Sequence, residues 1–249
     1  MPIILLHGLG ADRSEPLELF GPVLPADRAV FAPDLRAHGR SRDVGGPAAF
    51  TAEALATELA RSAADWLADC GEAGPVTILG ISAGAMLALW LCRMSELPIE
   101  RAVFVKPAFT DTPFPANLMV LSEIAELLRT EGPAGEARLR ETERFRAIAA
   151  ASPLLARSLL AQFRAPAAVE RAVRLAEIPR NVAFAPELAP PKAEMLVVST
   201  RDDPVHPTEV ADLWSNRLPT AARADVPSRD LDLERYRSAI RRCVEGWLS

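Results

Sequence analysis

The chain has 249 residues, of which 49% are hydrophobic and 24% are charged, and its formal net charge is -5 at pH 7. This length and composition allow one substantial core, so we expect a single domain over residues 1–249. A net negative charge offers no basic field to a phosphate backbone or an anionic membrane. The composition therefore predicts a small-molecule substrate and excludes nucleic acid and membranes as expected partners.

Short apolar runs alternate with longer helical patterns along the chain. Runs of four or five aliphatic residues are typical of strands buried on both faces of a parallel sheet. Five such runs and a weaker sixth lie at residues 3–6, 29–32, 76–79, 102–105, 195–199 and 223–226. Apolar residues at three- and four-residue spacing predict helices at 51–68, 83–94, 208–217 and 231–248. The alternation predicts an α/β fold with a doubly wound, mostly parallel sheet of about six strands.

Residues 108–191 interrupt this alternation. They contain helical patterns at 117–130 and 135–151, separated by proline-containing breaks, and no convincing strand. We interpret 108–191 as a helical cap inserted between two strands, where it would cover the carboxyl ends of the sheet. A helical layer packed on the sheet without a gating role fits the same pattern.

The segment Gly80-Ile81-Ser82-Ala83-Gly84 lies between a predicted strand and a predicted helix. A sharp turn at this point would hold the serine in a strained conformation, and small residues on both sides let the chain pass. The turn also places backbone N–H groups at a helix N-terminus, where negative charge is stabilised. The pattern makes Ser82 a candidate nucleophile.

Three further motifs extend this pattern across nearly the whole chain. They are His7-Gly8-Leu9-Gly10 after the first strand, the segment PDLRAHGRS at 33–41, and the segment TRDDPVHP at 200–207. With Ser82, their order and spacing resemble the α/β-hydrolase superfamily. The resemblance implies Ser82 as the nucleophile, the backbone N–H groups of Leu9 and Ala83 as the oxyanion hole, and Asp203 as the acid of a triad. Asp202 is the neighbour that could be mistaken for that acid.

The chain departs from this family in two places. It begins at what would be the third strand of the family, so we expect a minimal form without the amino-terminal hairpin. An uncovered sheet edge would follow, and a second copy of the chain could cover it, so a homo-oligomer is a possible partner. The second departure is that residues 207–249 contain no histidine, although the family places its base after the last strand. Arg229 and Asp230 occupy the expected position, and arginine is always protonated at neutral pH.

His7, His38 and His206 are the remaining candidate bases. His7 and His38 belong to motifs whose side chains more often brace loops. His206 lies three residues after Asp203, at the end of the sheet where Ser82 is also expected. Pro207 suits the first position of the next helix, which makes His206 its expected N-cap, and the positive helix end would keep the ring neutral. Alternatively, His206 only satisfies that helix end.

Two functional hypotheses follow. The first is a serine hydrolase with Ser82, His206 and Asp203, acting on a small ester, thioester or lactone through an acyl-enzyme. The alternative is a protein of the same fold that has lost the hydrolytic base, and that binds a small apolar ligand or catalyses non-hydrolytic chemistry. Lyase, transacylase and cofactor-free dioxygenase variants of the fold remain as a third group.

The sequence also predicts the wall of a pocket, the absence of a cofactor and the location of the protein. Six residues of the cap segment are candidates for an apolar pocket wall: Phe109, Phe114, Leu118, Met119, Phe145 and Phe163. The absence of GxGxxG, P-loop and metal-ligand patterns predicts no cofactor and no metal. Three scattered cysteines and an amino terminus without a signal-peptide pattern predict a cytoplasmic protein.

Overall fold

The sheet is the centre of the fold, and the computed structural model describes residues 1–164, 168–186 and 188–248. Its strands are β1 Ile3–Leu6, β2 Val30–Phe31, β3 Val76–Ile81, β4 Ile99–Val105, β5 Glu194–Thr200 and β6 Ala222–Val226. They pair in the order β2-β1-β3-β4-β5-β6, and every neighbouring pair is parallel. The predicted parallel sheet of six strands is confirmed.

Both faces of the sheet are covered, which explains the continuous apolar runs of its central strands. All residues of β1 and β3 are buried. Alternate residues enter opposite layers: Ile4 and Ile78 belong to one hydrophobic cluster, and Leu5 and Leu79 belong to the other. In the edge strand β6 only Val226 is fully buried, which accounts for its weaker apolar pattern.

The helices surround this sheet and follow one another along the chain. They are α1 Ser14–Phe20, α2 Ala52–Asp69, α3 Ala83–Met94, α4 Met119–Glu131, α5 Gly135–Glu141, α6 Glu143–Ala151, α7 Pro153–Arg164, α8 Ala168–Glu177, α9 Thr208–Arg217 and α10 Leu233–Leu248. Within the described ranges, none of the helices has the length and apolarity needed to cross a membrane. The sequence did not predict α1, which has seven residues and a short apolar face.

Helices α4 to α8 lie between β4 and β5, and we call them the helical segment. The single helix predicted over 135–151 is wrong, because the chain forms α5 and α6 there instead. Thr142 separates them with extended backbone angles (φ -70°, ψ 142°), and its Oγ1 accepts a hydrogen bond from the backbone N–H of Phe145 at 3.2 Å. A threonine N-cap thus starts a new helix where the apolar periodicity continues without interruption.

The helical segment is attached to the loops of the sheet by buried polar contacts. The Asp230 carboxylate, in the loop after β6, accepts hydrogen bonds from the Ser152 hydroxyl and from the backbone N–H of Leu154 at 2.7 Å. These contacts satisfy the amino-terminal end of α7. The loop that follows the last strand therefore fixes the start of α7.

Candidate active site

Ser82 lies in the turn between β3 and α3 with unusual backbone angles (φ 54°, ψ -109°). Positive φ is costly for a residue with a side chain, so the surroundings must hold this conformation. The backbone N–H of Ser82 donates to the carbonyl of Val105 at 2.9 Å. A Cβ atom at Gly80 would overlap the backbone of Gly84, and one at Gly84 would overlap the carbonyl of Leu6. The glycines at these two positions are therefore required for the turn.

His206 contacts Ser82 directly. Its Nε2 lies 2.9 Å from Ser82 Oγ, and its Nδ1 lies 3.0 Å from Asp203 Oδ2. The imidazole and the carboxylate are both buried. Although Nδ1 and Oδ2 are close, the N–H direction departs from the line between them, so this contact is an electrostatic pair more than a straight hydrogen bond. The structure thus brings Ser82, His206 and Asp203 together.

The loop after β5 folds around the Asp203 carboxylate. Asp203 Oδ1 accepts hydrogen bonds from the backbone N–H groups of Val205 at 3.1 Å and His206 at 3.2 Å. The expected N-cap role of His206 is wrong, because α9 begins at Thr208 and Pro207 holds the N-cap position. The compact turn at Asp203 leaves the His206 ring directed at Ser82. Asp202 is exposed, with φ 57°, and Asp203 is the aspartate that meets the histidine.

Burial and neighbouring charges set the protonation of this pair. Burial lowers the pKa of His206, Asp203 raises it, and the cations Lys106 and Arg229 lower it further, with a net pKa below 6.5. The imidazole is therefore neutral at pH 7. Burial alone would raise the pKa of Asp203, but the His206 imidazolium present at low pH, Lys106 and Arg229 hold it below its usual range. Burial and the two cations therefore account for the neutral ring.

The backbone N–H groups of Leu9 and Ala83 are both close to the serine turn and unoccupied. The amides beside Leu9 are used: Gly8 N–H donates to Glu15 Oε2 at 2.7 Å, and Gly10 N–H donates to a histidine ring at 3.3 Å. No hydrogen bond joins the Leu9 amide to any part of the chain that the structure describes. Ala83 is the first residue of α3, where an amide has no acceptor within its own helix.

The other two histidines brace loops, as expected from the sequence. His7 Nε2 accepts a hydrogen bond from the Leu35 amide at 3.0 Å, and His38 Nε2 accepts one from the Gly10 amide at 3.3 Å. Burial lowers the pKa of both rings, which keeps each Nε2 an acceptor. Asp34 also holds its loop, because its carboxylate accepts hydrogen bonds from Arg13 and from the Arg40 amide.

A cavity of about 340 Å³ opens beside Ser82 and His206. This volume is at the low end of the range for small-molecule sites. Apolar side chains from the loops and the helical segment form part of its wall: Leu9, Leu121, Leu155, Leu159, Leu175 and Val205. The six pocket residues suggested by the sequence do not line it. Phe109, Leu118, Phe145 and Phe163 are buried in the hydrophobic core instead, Met119 is half-buried at the start of α4, and Phe114 lies at the surface.

Three charged side chains also line the cavity: Glu15, Lys106 and Arg229. Arg229 was expected only as the residue that stands in place of the histidine, and Lys106 was not predicted as a site residue. Lys106 directly follows the buried apolar strand β4, and a lysine at that point was the available signal. Like Ser82, Lys106 has positive φ (52°).

Comparison with known proteins gives three kinds of result. A model of the alpha/beta hydrolase family matches residues 3–237. No curated protein sequence matches the chain significantly. Among solved structures, an alpha/beta hydrolase enzyme, MGS-M2, from a Medee basin deep-sea metagenome library is 17% identical, with a TM-score of 0.74 over 99% of this chain and 88% of its own.

Two other solved structures are similar at 22% identity. A thermophilic esterase from Thermogutta terrifontis has a TM-score of 0.68 over 100% of this chain and 91% of its own. The bottromycin epimerase BotH has a TM-score of 0.69 over 100% of this chain and 90% of its own. At such identities the likeness shows the fold alone, and one of these two proteins is an esterase while the other is an epimerase.

Proposed function

The chain belongs to the alpha/beta hydrolase family, and on that premise we propose that it is a serine hydrolase in which Ser82 attacks a small ester, thioester or lactone. The observation that carries this proposal is the contact of 2.9 Å between Ser82 Oγ and His206 Nε2. A serine hydroxyl needs a neighbouring base to become a nucleophile, and a neutral imidazole at this distance meets that need.

In the first half of the reaction, Ser82 Oγ forms a bond to the substrate carbonyl carbon while its proton passes to His206 Nε2. The tetrahedral intermediate collapses when the bond to the leaving alcohol or thiol breaks. That group leaves with the proton from His206, and the acyl group remains on Ser82. Asp203 stabilises the transient imidazolium and positions the ring through its contact with Nδ1.

In the second half, water attacks the acyl carbon and gives its proton to His206 Nε2. The bond to Ser82 Oγ then breaks, the serine recovers the proton, and the carboxylic acid product leaves. In both halves the Leu9 and Ala83 amides donate to the oxyanion. One such donor contributes about 10²- to 10³-fold in rate.

The base of this proposal comes from an unusual position. Residues after β6 supply Arg229, which cannot accept a proton at neutral pH. His206 instead follows β5, three residues after its own acid, and approaches Ser82 from the side of that strand. In this proposal the helical segment acts as a cap, because α7 contributes Leu155 and Leu159 to the wall of the cavity.

The alternative is a protein of this fold that binds a ligand without hydrolysing it, or that catalyses other chemistry. The reason for this alternative was the lack of a histidine after β6. The contact between His206 and Ser82 weakens that reason, because it supplies another candidate base. The similarity in fold to both an esterase and an epimerase gives no preference. Reactivity at Ser82 separates the two hypotheses.

Labelling with a fluorophosphonate tests the nucleophile. We expect Ser82 Oγ to displace fluoride and the peptide containing Ser82 to gain the phosphonyl mass, because His206 removes the hydroxyl proton. The labelling rate should fall by about 10²-fold or more in His206→Gln, since the general base is lost. Mass spectrometry with Ser82→Ala as the blank measures this. An unlabelled Ser82 in the wild-type protein would favour the alternative.

The pH dependence of hydrolysis tests the charge environment of His206. Activity should rise once with pH as the imidazole loses its proton, and the lowered pKa places the midpoint of kcat/KM below 6.5. Because Lys106 lowers the pKa of His206, Lys106→Met should move the midpoint to higher pH. Lys192→Met, at an exposed lysine, is the control and should leave the midpoint in place. A wild-type midpoint above 7 would contradict the neutral, buried base.

A further inference from the structure

The cavity beside Ser82 contains two cations that the hydrolytic mechanism does not use. Lys106 is 8% exposed and directly follows β4, and the Arg229 side chain is 17% exposed and follows β6. Burial lowers the pKa of Lys106, but Asp203 and the ionised form of Tyr236 raise it above its ordinary value. Lys106 therefore carries its charge at neutral pH, where burying it needs a compensating partner.

The hydrogen-bond donors of these two cations are largely unused. Nε and Nη2 of Arg229 are buried and have no acceptor among the described residues, and the nearest carboxylate oxygen, Asp230 Oδ2, is 4.0 Å from Nε. Lys106 Nζ forms no hydrogen bond or ion pair with the part of the chain that is described. Buried donors without acceptors are costly, and a bound ligand would relieve that cost.

The carboxylates nearby form no hydrogen bond with either cation in the described part of the chain. Asp203 is held by its own loop and by His206, and Glu15 Oε2 accepts the Gly8 amide. Asp230 accepts the hydrogen bonds that start α7. Gln162 Oε1 and Asp203 Oδ2 are buried acceptors without a hydrogen bond, but neither is bonded to Lys106 or Arg229.

We propose that Lys106 and Arg229 form a carboxylate-binding subsite, so that the substrate is a small ester, thioester or lactone that also carries a free carboxylate. This inference rests on the proposed hydrolase activity for its reaction and on the cavity for its ligand. The subsite and Ser82 line the same cavity, so one small molecule can reach both.

The balance of charge favours a monoanion. Lys106 and Arg229 line the cavity with one carboxylate, Glu15, while Asp203 and Asp230 lie beside the two cations without lining the cavity. Because these carboxylates already offset part of the positive charge, a carboxylate monoanion fits the site better than a phosphate dianion. A carboxylate also matches the planar donor fork of Arg229. The strained φ of Lys106 (52°) is consistent with a side chain held for binding.

The test compares two methyl esters that differ only at the end of the acyl chain remote from the ester group. Monomethyl adipate ends in a carboxylate where methyl hexanoate ends in a methyl group, and hydrolysis of both is followed by release of methanol. In the wild-type protein we expect kcat/KM to be at least about tenfold higher for monomethyl adipate, from one charge-assisted contact. Equal values for the two esters would overturn the subsite and leave the hydrolase proposal intact.

Two variants locate the preference. Lys106→Met and Arg229→Gln should each reduce the ratio of the two kcat/KM values about tenfold. Lys192→Met and Arg201→Gln remove exposed cations and are the controls, for which the ratio should stay at its wild-type value. Arg229→Gln keeps the test open if Lys106→Met fails to fold. A ratio unchanged in Arg229→Gln would overturn the participation of that residue.

Binding separates this inference from the hydrolase proposal. Monomethyl adipate is titrated calorimetrically into Ser82→Ala, which cannot consume it, and into Ser82→Ala/Arg229→Gln. Affinity about tenfold weaker in the double variant supports the subsite, even if the wild-type protein hydrolyses neither ester and the hydrolase proposal fails. Equal affinity, or no binding to either protein, overturns the subsite.

Discussion

Replacing His206 with glutamine should lower kcat for ester hydrolysis by about 10⁴- to 10⁶-fold, because glutamine can bond to Ser82 Oγ but cannot take its proton. Ser82→Ala should lose a similar factor, because neither residue works without the other. The double variant should then be little worse than either single variant, as expected for groups that act as a unit. Steady-state kinetics on all three proteins measures this.

The loop after β5, which holds both Asp202 and Asp203, offers a matched control for this prediction. Asp203→Asn removes the charge beside His206 Nδ1 and should reduce kcat by about 10⁴-fold. Asp202→Asn changes the neighbouring exposed aspartate and should leave kcat unchanged, since asparagine tolerates the left-handed backbone at that position. If His206→Gln retained more than a tenth of the wild-type kcat, the base would have to be sought elsewhere.

Gly80→Ala should destabilise the protein by about 3 kcal/mol or prevent folding, because the added methyl group has no space. A Cβ at Gly80 lies 2.6 Å from the Ala85 nitrogen and closer still to the Gly84 carbonyl, all backbone atoms at the start of α3. They cannot move aside as the end of a flexible side chain would. The free energy of unfolding in urea is the measurement, with activity as a second readout.

Gly246→Ala is the control for that substitution. Gly246 lies in α10, and outside that helix's backbone no atom of the described residues lies within 4 Å of the position of its Cβ. Alanine at this helical position should stabilise the protein by about 0.5 to 1 kcal/mol. Similar unfolding free energies for the two alanine variants would show that the turn at Ser82 can accommodate an added methyl group at position 80.

The sheet was predictable from the sequence because its signals are local. The β3 segment has six buried residues in a row, and a glycine-flanked serine follows it directly, so neighbouring residues specify both strand and turn. The break at Thr142 was missed because one capping side chain overrode a continuing apolar period. Local patterns are strong where burial is uniform and weak where a single hydrogen bond decides.

The contents of the site were only partly predictable. His206 and Ser82 are 124 residues apart in the chain, and their contact depends on how the Asp203 turn directs one ring. The sequence predicted both residues at the same end of the sheet, but it did not decide whether His206 is a base or a helix cap. The side chains that line the cavity, such as Leu155 and Lys106, come from separate elements, and their convergence follows from packing.

The turn from Asp203 to His206 has a consequence for how the site assembles. The base and its orienting acid lie within four consecutive residues, and backbone bonds to the Asp203 carboxylate set their relative position. Closing such a short loop costs little entropy, so this pair forms without waiting for the edge strand β6 to dock. In the proposed mechanism the loop after β6 therefore takes no part in proton transfer. It contributes Arg229 to the cavity wall while its Asp230 fixes the start of α7, so this loop connects the helical segment to the cavity.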